Sequence, residues 1–348
     1  MTAAQRPLTD VLGVDHPLVQ APMAGSQGSA LAIAVSNAGA LGSLPSAMLS
    51  ADALRRELEA IRAATANPYN VNFFAHAAPA VDAAAEAAWR ARLAPYYAEF
   101  GIDPANAPTG GGRLPFDSAA ADVLEDFRPA VVSFHFGLPA PELVARVKSW
   151  GATILASATT LDEALWLEAR GADAVIAQGA EAGGHRGMFL TTDVTTQAGT
   201  IALVPQFAHA LAVPVIAAGG VADRAAVEAA HRLGAAGTQV GTAYLLCPEA
   251  TTSAVHRAAI AGDRAHHTAL TNVFTGRPAR GIVNRLMREC GPLADDVPAF
   301  PLAAAAVAPL RAAAERNGSG EFSPLWAGQR AADARSVPAA EVTAELCD

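Results

Sequence analysis

The 348-residue sequence holds only 3 Cys, 4 Trp and 4 Tyr. Cys247, Cys290 and Cys347 are odd in number, far apart and without CxxC spacing, so neither a disulfide framework nor a zinc site is encoded. Charge is scarce too, at 16% of residues, and the net of −9 has the wrong sign for a nucleic-acid backbone. Glu, Arg, Asp or Pro interrupts the Ala-rich stretches every few positions, so no apolar run reaches the roughly 18–20 residues of a membrane span. The opening segment from Met1 to Pro7 lacks the apolar core of a secretory signal, and Asp10 follows before any apolar run develops. A soluble, cytoplasmic protein without nucleic-acid or membrane partners is expected. With 52% hydrophobic residues the chain can bury a large core.

Short apolar runs alternate with amphipathic Ala-rich stretches, the pattern of parallel strands returned by helical crossovers. Eight runs read as strands: 17–21, 40–44, 70–74, 130–136, 152–156, 174–178, 213–218 and 238–241. Helices are expected at 29–38, 51–65, 82–100, 141–150, 160–170, 200–211 and 223–233. Thr160-Leu161-Asp162-Glu163 reads as a capping box, and Gly171 as the C-cap of the same helix. This count and length match a (β/α)8 TIM barrel in the α/β class. The barrel is expected over 1–247. A smaller helical subdomain without a clear strand is expected to roof its carboxyl end over 248–319, and 320–348 returns to the barrel. Thr109-Gly110-Gly111-Gly112 reads as a flexible surface loop in the excursion between the third and fourth strands.

Side chains inside such a barrel are packed, so chemistry falls to the loops after the strands. The seventh run leads into Gly219-Gly220 and the eighth into Gln239-Val240-Gly241-Thr242. These glycines either make tight turns or let main-chain N–H groups approach a phosphate, and their place after consecutive late strands favours the phosphate. The sixth run ends in Gln178-Gly179-Ala180-Glu181-Ala182-Gly183-Gly184-His185-Arg186-Gly187. His185 lies between glycines just beyond a buried strand, where an imidazole can exchange a proton or bind an anion. Arg186 either pairs with an anion or braces the loop. Asn72 is an amide in an apolar strand, suited to a ring of alternating N–H and C=O groups or to bracing the backbone. Gln20-Ala21-Pro22-Met23-Ala24 leaves the first strand by a turn that either lines a flat cofactor or packs.

Together these residues resemble the nitronate monooxygenase family, formerly called 2-nitropropane dioxygenase. The resemblance runs through Gln20 to Gly25, Ser36 to Leu44, Asn72, Gln178 to Gly187, Ala217 to Asp223, Gln239 to Thr242, Thr275 to Gly281 and Leu325 to Gln329, in order along nearly the whole chain. It implies one non-covalent FMN, contacted by Ala24, Asn72, Gln178, Gly183, Gly220, Gln239, Val240, Gly241 and Thr242. The phosphate is expected against Gly219-Gly220 and Gly241-Thr242, where the glycines alone had already placed an anion. His185 corresponds to the family's active-site histidine.

The implied reaction is oxidation of an alkyl nitronate, or a nitroalkane, by O2 to a carbonyl compound and nitrite, without NAD(P)H. His185 would bind the nitronate or remove the α-proton of a nitroalkane. An NAD(P)H-dependent FMN enoyl-thioester or quinone reductase is the alternative on the same barrel. The stretch from Phe300 to Arg311 lacks the tyrosines and lysine that surround an acidic nitronate in some members, which points to neutral or apolar substrates. No metal is expected, and the oligomeric state is left open, with a homodimer as one option.

Overall fold

Short buried strands and capped helices close here into a barrel. The computed structural model describes residues 6–103, 108 and 112–347. The first strands are β1 (Leu18–Gln20), β2 (Gly42–Pro45), β3 (Tyr69–Phe74), β4 (Val131–His135), β5 (Thr153–Ala158) and β6 (Ala174–Gln178). A two-residue strand β7 (Gly184–His185) leaves the barrel before β8 (Val215–Ala218) and β9 (Gly237–Val240) complete it. The eight barrel strands are parallel in the order β1-β9-β8-β6-β5-β4-β3-β2. A parallel bridge between Val19 and Leu41 brings β2 back against β1 and closes the ring. The expected strands lie within two residues of these, so the TIM barrel read from the sequence is the fold.

The helices start where side chains cap them. Ser50, Asp82, Asp117, Thr160 and Asp223 each accept from a main-chain N–H of the first turn. They open α3 (Ala51–Ala64), α4 (Ala83–Glu99), α5 (Ser118–Phe127), α7 (Leu161–Glu168) and α9 (Arg224–Arg232). The intervening helices are α1 (Leu8–Leu12), α2 (Ser29–Asn37), α6 (Pro141–Ser149) and α8 (Thr200–Ala210). Where α2 crosses β2, a Cβ on Gly42 would lie 2.0 Å from the Ala32 carbonyl oxygen, so only glycine fits that contact.

At the amino end of the barrel, Leu8 and Leu12 of α1 pack among Val19, Leu41, Val131, Leu155, Ile176 and Ile216. That apolar plug leaves the carboxyl end of the strands to the site.

Two expectations need correction. The helix after the third strand, α4, is not a barrel wall: Trp89, Leu93, Tyr96 and Tyr97 pack with Ala303, Val307 and Leu310 in a separate core. The wall position belongs to α5, whose Ala121, Val123 and Leu124 join the main barrel core. The second concerns the roof, which contains α10 (Ala254–Ala261), α11 (Arg285–Cys290) and α12 (Ala303–Arg316) but also β10 (Thr268–Thr271) and β11 (Ala279–Ile282). These strands pair antiparallel with each other, and β11 pairs with β7 in a three-stranded sheet. Each is only four residues long and β11 contains a glycine, so neither gives a readable alternation.

The Gly-rich loop expected at 109–112 lies outside the described residues except for Gly112. The last helix, α13 (Ala339–Cys347), packs on α2 and α9. Among the described residues, no helix is long and apolar enough to cross a membrane.

Candidate active site

A cavity of about 1280 Å³, its open mouth included, sits at the carboxyl ends of the strands. Ala24, Asn72, Gln178, Gly183, His185, Gly219, Gly220, Gln239, Gly241 and Thr242 all line it. Val240 does not: its side chain is buried with Leu18, Leu31 and Val35, and its carbonyl accepts from the Ala21 N–H.

One end of the cavity is built of turns. Gly219 and Gly220 have φ of +113° and +73°, a region L side chains rarely adopt. A Cβ on Gly219 would also stand 2.9 Å from the Ala182 nitrogen. The N–H groups of Gly220, Val221 and Gly241 donate to no partner among the described residues. Free main-chain donors on turns that line one cavity suit an anion. Asp223 caps α9 and pairs with Arg330 at 2.7 Å, and Arg330 lines the same end. Glu181 also lines the cavity, but its carboxylate accepts from the Thr200 N–H and hydroxyl. The chain's last segment closes this end: the Gly328 N–H donates to Thr242 Oγ1 at 3.0 Å. Gly183 is required by the same closure, since a Cβ there would lie 2.5 Å from the main chain of Ala327 and Gly328.

Two amides face the middle of the cavity with capacity to spare. Asn72 Nδ2 donates to Ser133 Oγ at 2.9 Å, while its Oδ1 has no partner among the described residues. Gln239 lines the cavity and its amide is unpartnered among them. Gln178 differs, because its amide is committed to the loop: Nε2 donates to the His185 carbonyl at 2.9 Å and Oε1 accepts from the Gly187 N–H at 2.7 Å. Gln20 is a brace, bonded through its amide to Gln27 and the Ser43 N–H.

At the other end, pairing of β7 with β11 sets His185 opposite Ala279. His185 Nε2 is 2.9 Å from Thr275 Oγ1, and Nδ1 has no partner among the described residues. Burial, then the charge of Arg113, then His135 and Arg277, hold its pKa well below 6.5, so the imidazole is neutral at pH 7. Its carbonyl accepts a second bond from His135 Nε2 at 3.1 Å, which fixes the proton of His135 on Nε2. Burial lowers the His135 pKa to about 4. Phe300 and Trp326 stand beside the His185 ring, with centroids 5.3 Å and 5.4 Å away.

Arg186 is fully buried and braces the loop, donating to the carbonyls of Gly179 and Gln178 and to Gln197 Oε1. Of the two roles open to it, bracing is the one it fills.

Sequence reasoning missed His135, Ser157, Phe74, Arg113 and Trp326 as lining residues, and Thr275 as the partner of His185. His135 and Ser157 were findable, since both stand at strand ends that face the site. Arg113 carried no signal, because it follows a Gly-rich stretch with no periodicity.

A family model described as nitronate monooxygenase matches residues 5–348. The chain belongs to that family. Nitronate monooxygenase of Pseudomonas aeruginosa is 43% identical over 343 residues, covering 98% of this chain and 97% of that protein. Its counterpart in Paraburkholderia phytofirmans is 42% identical over 344 residues, covering 98% and 94%. Nitroalkane oxidase from Streptomyces ansochromogenes superposes with a TM-score of 0.88 at 38% identity, covering 98% of this chain and 96% of that one. FabK from Thermotoga maritima shares the fold, with a TM-score of 0.71 at 24% identity and coverage of 99% and 95%. Membership in the nitronate monooxygenase family makes the chain an oxidoreductase acting on small molecules.

Proposed function

We propose that the cavity binds FMN and that the chain oxidises alkyl nitronates, and nitroalkanes, with O2 to carbonyl compounds and nitrite. The observation that carries this reading is one cavity with free main-chain donors at one end and a neutral, half-anchored imidazole at the other. The donor set fits the cofactor. Gly220, Val221 and Gly241 would hold the phosphate with their N–H groups, while Asn72 Oδ1 and the Gln239 amide would meet the polar edge of the ring. When bound, FMN supplies the electron relay between substrate and oxygen.

His185 does the proton work. The Thr275 hydroxyl can accept from Nε2–H or donate to Nε2, so it supports either imidazole tautomer. With Nε2 protonated, Nδ1 removes the α-proton of a neutral nitroalkane. With Nδ1 protonated, it donates a hydrogen bond to a nitronate oxygen. The paired bonds from His135 and Gln178 to the His185 carbonyl fix where the ring stands, and the aromatic side chains of Phe74 and Trp326 limit water beside it.

The test is a visible spectrum of the purified protein, followed by nitrite release from nitroethane and 3-nitropropionate pre-equilibrated to their nitronates. Flavin absorbance with nitrite formed in air and no added NAD(P)H is expected. A colourless protein after FMN addition would contradict cofactor binding. Rapid anaerobic bleaching by NADPH without nitrite formation would instead favour the reductase.

A further inference from the structure

Among the described residues, Glu163 is the only buried acid, and Glu163 and Arg186 are the only charged side chains with no exposed surface. Neither lines the cavity. Glu163 is the third residue of α7, where a capping box would turn its carboxylate back to the N–H of the cap residue, Thr160. Half of that box forms, since the Glu163 N–H donates to Thr160 Oγ1 at 3.3 Å. The carboxylate goes elsewhere. Its Oε2 accepts from the N–H and hydroxyl of Thr159 at 2.8 Å and 2.7 Å, and its Oε1 accepts from the N–H groups of Phe189 and Leu190 at 2.6 Å and 3.2 Å.

A carboxylate and a guanidinium taken wholly out of water are costly unless partners satisfy them. Here two side chains join them. Arg186 Nε donates to Gln197 Oε1 at 2.9 Å, Gln197 Nε2 donates to Thr159 Oγ1 at 3.0 Å, and Thr159 Oγ1 donates to Glu163 Oε2. Every donor in this chain points from the cation toward the anion, so each bond polarises the next.

The chain holds the segment from His185 to Leu190 near both ends. Arg186, the neighbour of His185, also donates to the carbonyls of Gly179 and Gln178, while Phe189 and Leu190 hang on the Glu163 carboxylate. A base acts only within hydrogen-bond reach of the proton it takes, so small errors in its placing cost rate.

We propose that Glu163 is a positioning residue for His185, acting through this buried chain and the loop without touching substrate or cofactor. The proposal rests on the oxidase reading above. An amide at position 163 has one acceptor oxygen where the carboxylate has two, so Glu163→Gln sets an NH2 group against either the loop donors or Thr159. Thr159→Val breaks the same chain with little change of shape, and Thr159→Ser keeps the hydroxyl.

The experiment compares these three variants with wild type, all loaded with FMN. Initial rates are measured for neutral nitroethane, which needs a proton removed, and for its nitronate, which does not. The ratio of kcat/KM for nitroethane over nitronate is expected to fall about tenfold in Glu163→Gln, with a larger isotope effect on 1,1-dideuterated nitroethane, the mark of a displaced base. Thr159→Val should move the same way and Thr159→Ser should recover most of the loss. FMN affinity should stay within about twofold, because the phosphate donors lie at the other end of the cavity. An unchanged ratio, with both rates falling alongside FMN affinity, overturns the proposal and leaves Glu163 a brace of the fold.

NMR of protein labelled with 15N-histidine reads the ring without turnover. The His185 ring signal, identified by its loss in His185→Asn, is expected to move in Glu163→Gln and Thr159→Val and to return in Thr159→Ser. A stationary signal overturns the proposal. Wild type that releases no nitrite, with a His185 signal that moves as stated, would fail the oxidase reading and keep the positioning role. Nitrite release with an unchanged ratio and a stationary signal would do the reverse.

Discussion

At the scale of single residues, the account turns on His185. Its sequence setting, a histidine between glycines just beyond a buried strand, makes it legible from the sequence alone. His185→Asn keeps the ring's place but removes its basicity, so the variant should retain FMN. It should lose about 10²-fold or more in nitroalkane turnover, the scale of an absent general base. Steady-state nitrite release checks this, and undiminished turnover would remove His185 from the chemistry. The pH dependence has a definite sign. Burial and the Arg113 charge hold the imidazole neutral, so the base form is present at pH 7 and is lost only as pH falls through a pKa well below 6.5. The kcat/KM for neutral nitroethane should therefore stay level down through pH 6.5, and an acid limb centred at or above 6.5 would contradict the assignment. Thr275 was not readable beside His185, because the separation of 90 positions closes only when β7 joins the roof sheet.

Turns between elements build the proposed phosphate end of the cavity. Gly219 and Gly220 are adjacent, yet their surroundings separate them. A Cβ at Gly219 meets the Ala182 nitrogen at 2.9 Å, whereas the nearest atom to a Cβ at Gly220 is 3.7 Å away. Gly220→Ala bears mainly the left-handed backbone cost of roughly 1–2 kcal/mol and should fold and bind FMN with modest loss. Gly219→Ala must also push the Ala182 segment aside, so FMN affinity should fall at least tenfold further, as read by flavin fluorescence titration. Equal affinities in the two variants would contradict the geometry.

The glycine motifs were legible because a turn after a strand leaves a local signature. The role of α4 was not: its apolar residues suit any partner, and only tertiary packing on α12 shows that it supports the roof. The roof sheet escaped detection for a related reason, since β7 has two residues and its partners lie about a hundred positions away.

Across the whole molecule, buried histidines link stability to pH. Burial lowers His76, His135 and His256 to about 4. A base whose folded pKa is depressed favours the folded state fully above its unfolded value of about 6.5 and loses that contribution as pH falls toward 4. Each histidine costs on the order of 1–3 kcal/mol across that window, so the urea midpoint should drop steadily from pH 6.5 to 4. His256 lies outside the cavity with Nε2 buried and unpartnered, so His256→Gln should flatten the slope. A midpoint constant over that range would contradict the assignment of buried neutral imidazoles.

The barrel itself was the most legible feature, because eight apolar runs and their capped helices repeat at a regular spacing. The plug formed by α1 was hidden in five residues too short to show a period.

The most direct measurement is a crystal structure of the FMN-loaded protein. The phosphate should lie within hydrogen-bond distance of the Gly220 and Gly241 nitrogens, with His185 Nδ1 open toward the flavin ring. A phosphate bound elsewhere, or a cavity empty at saturating FMN, would contradict the account.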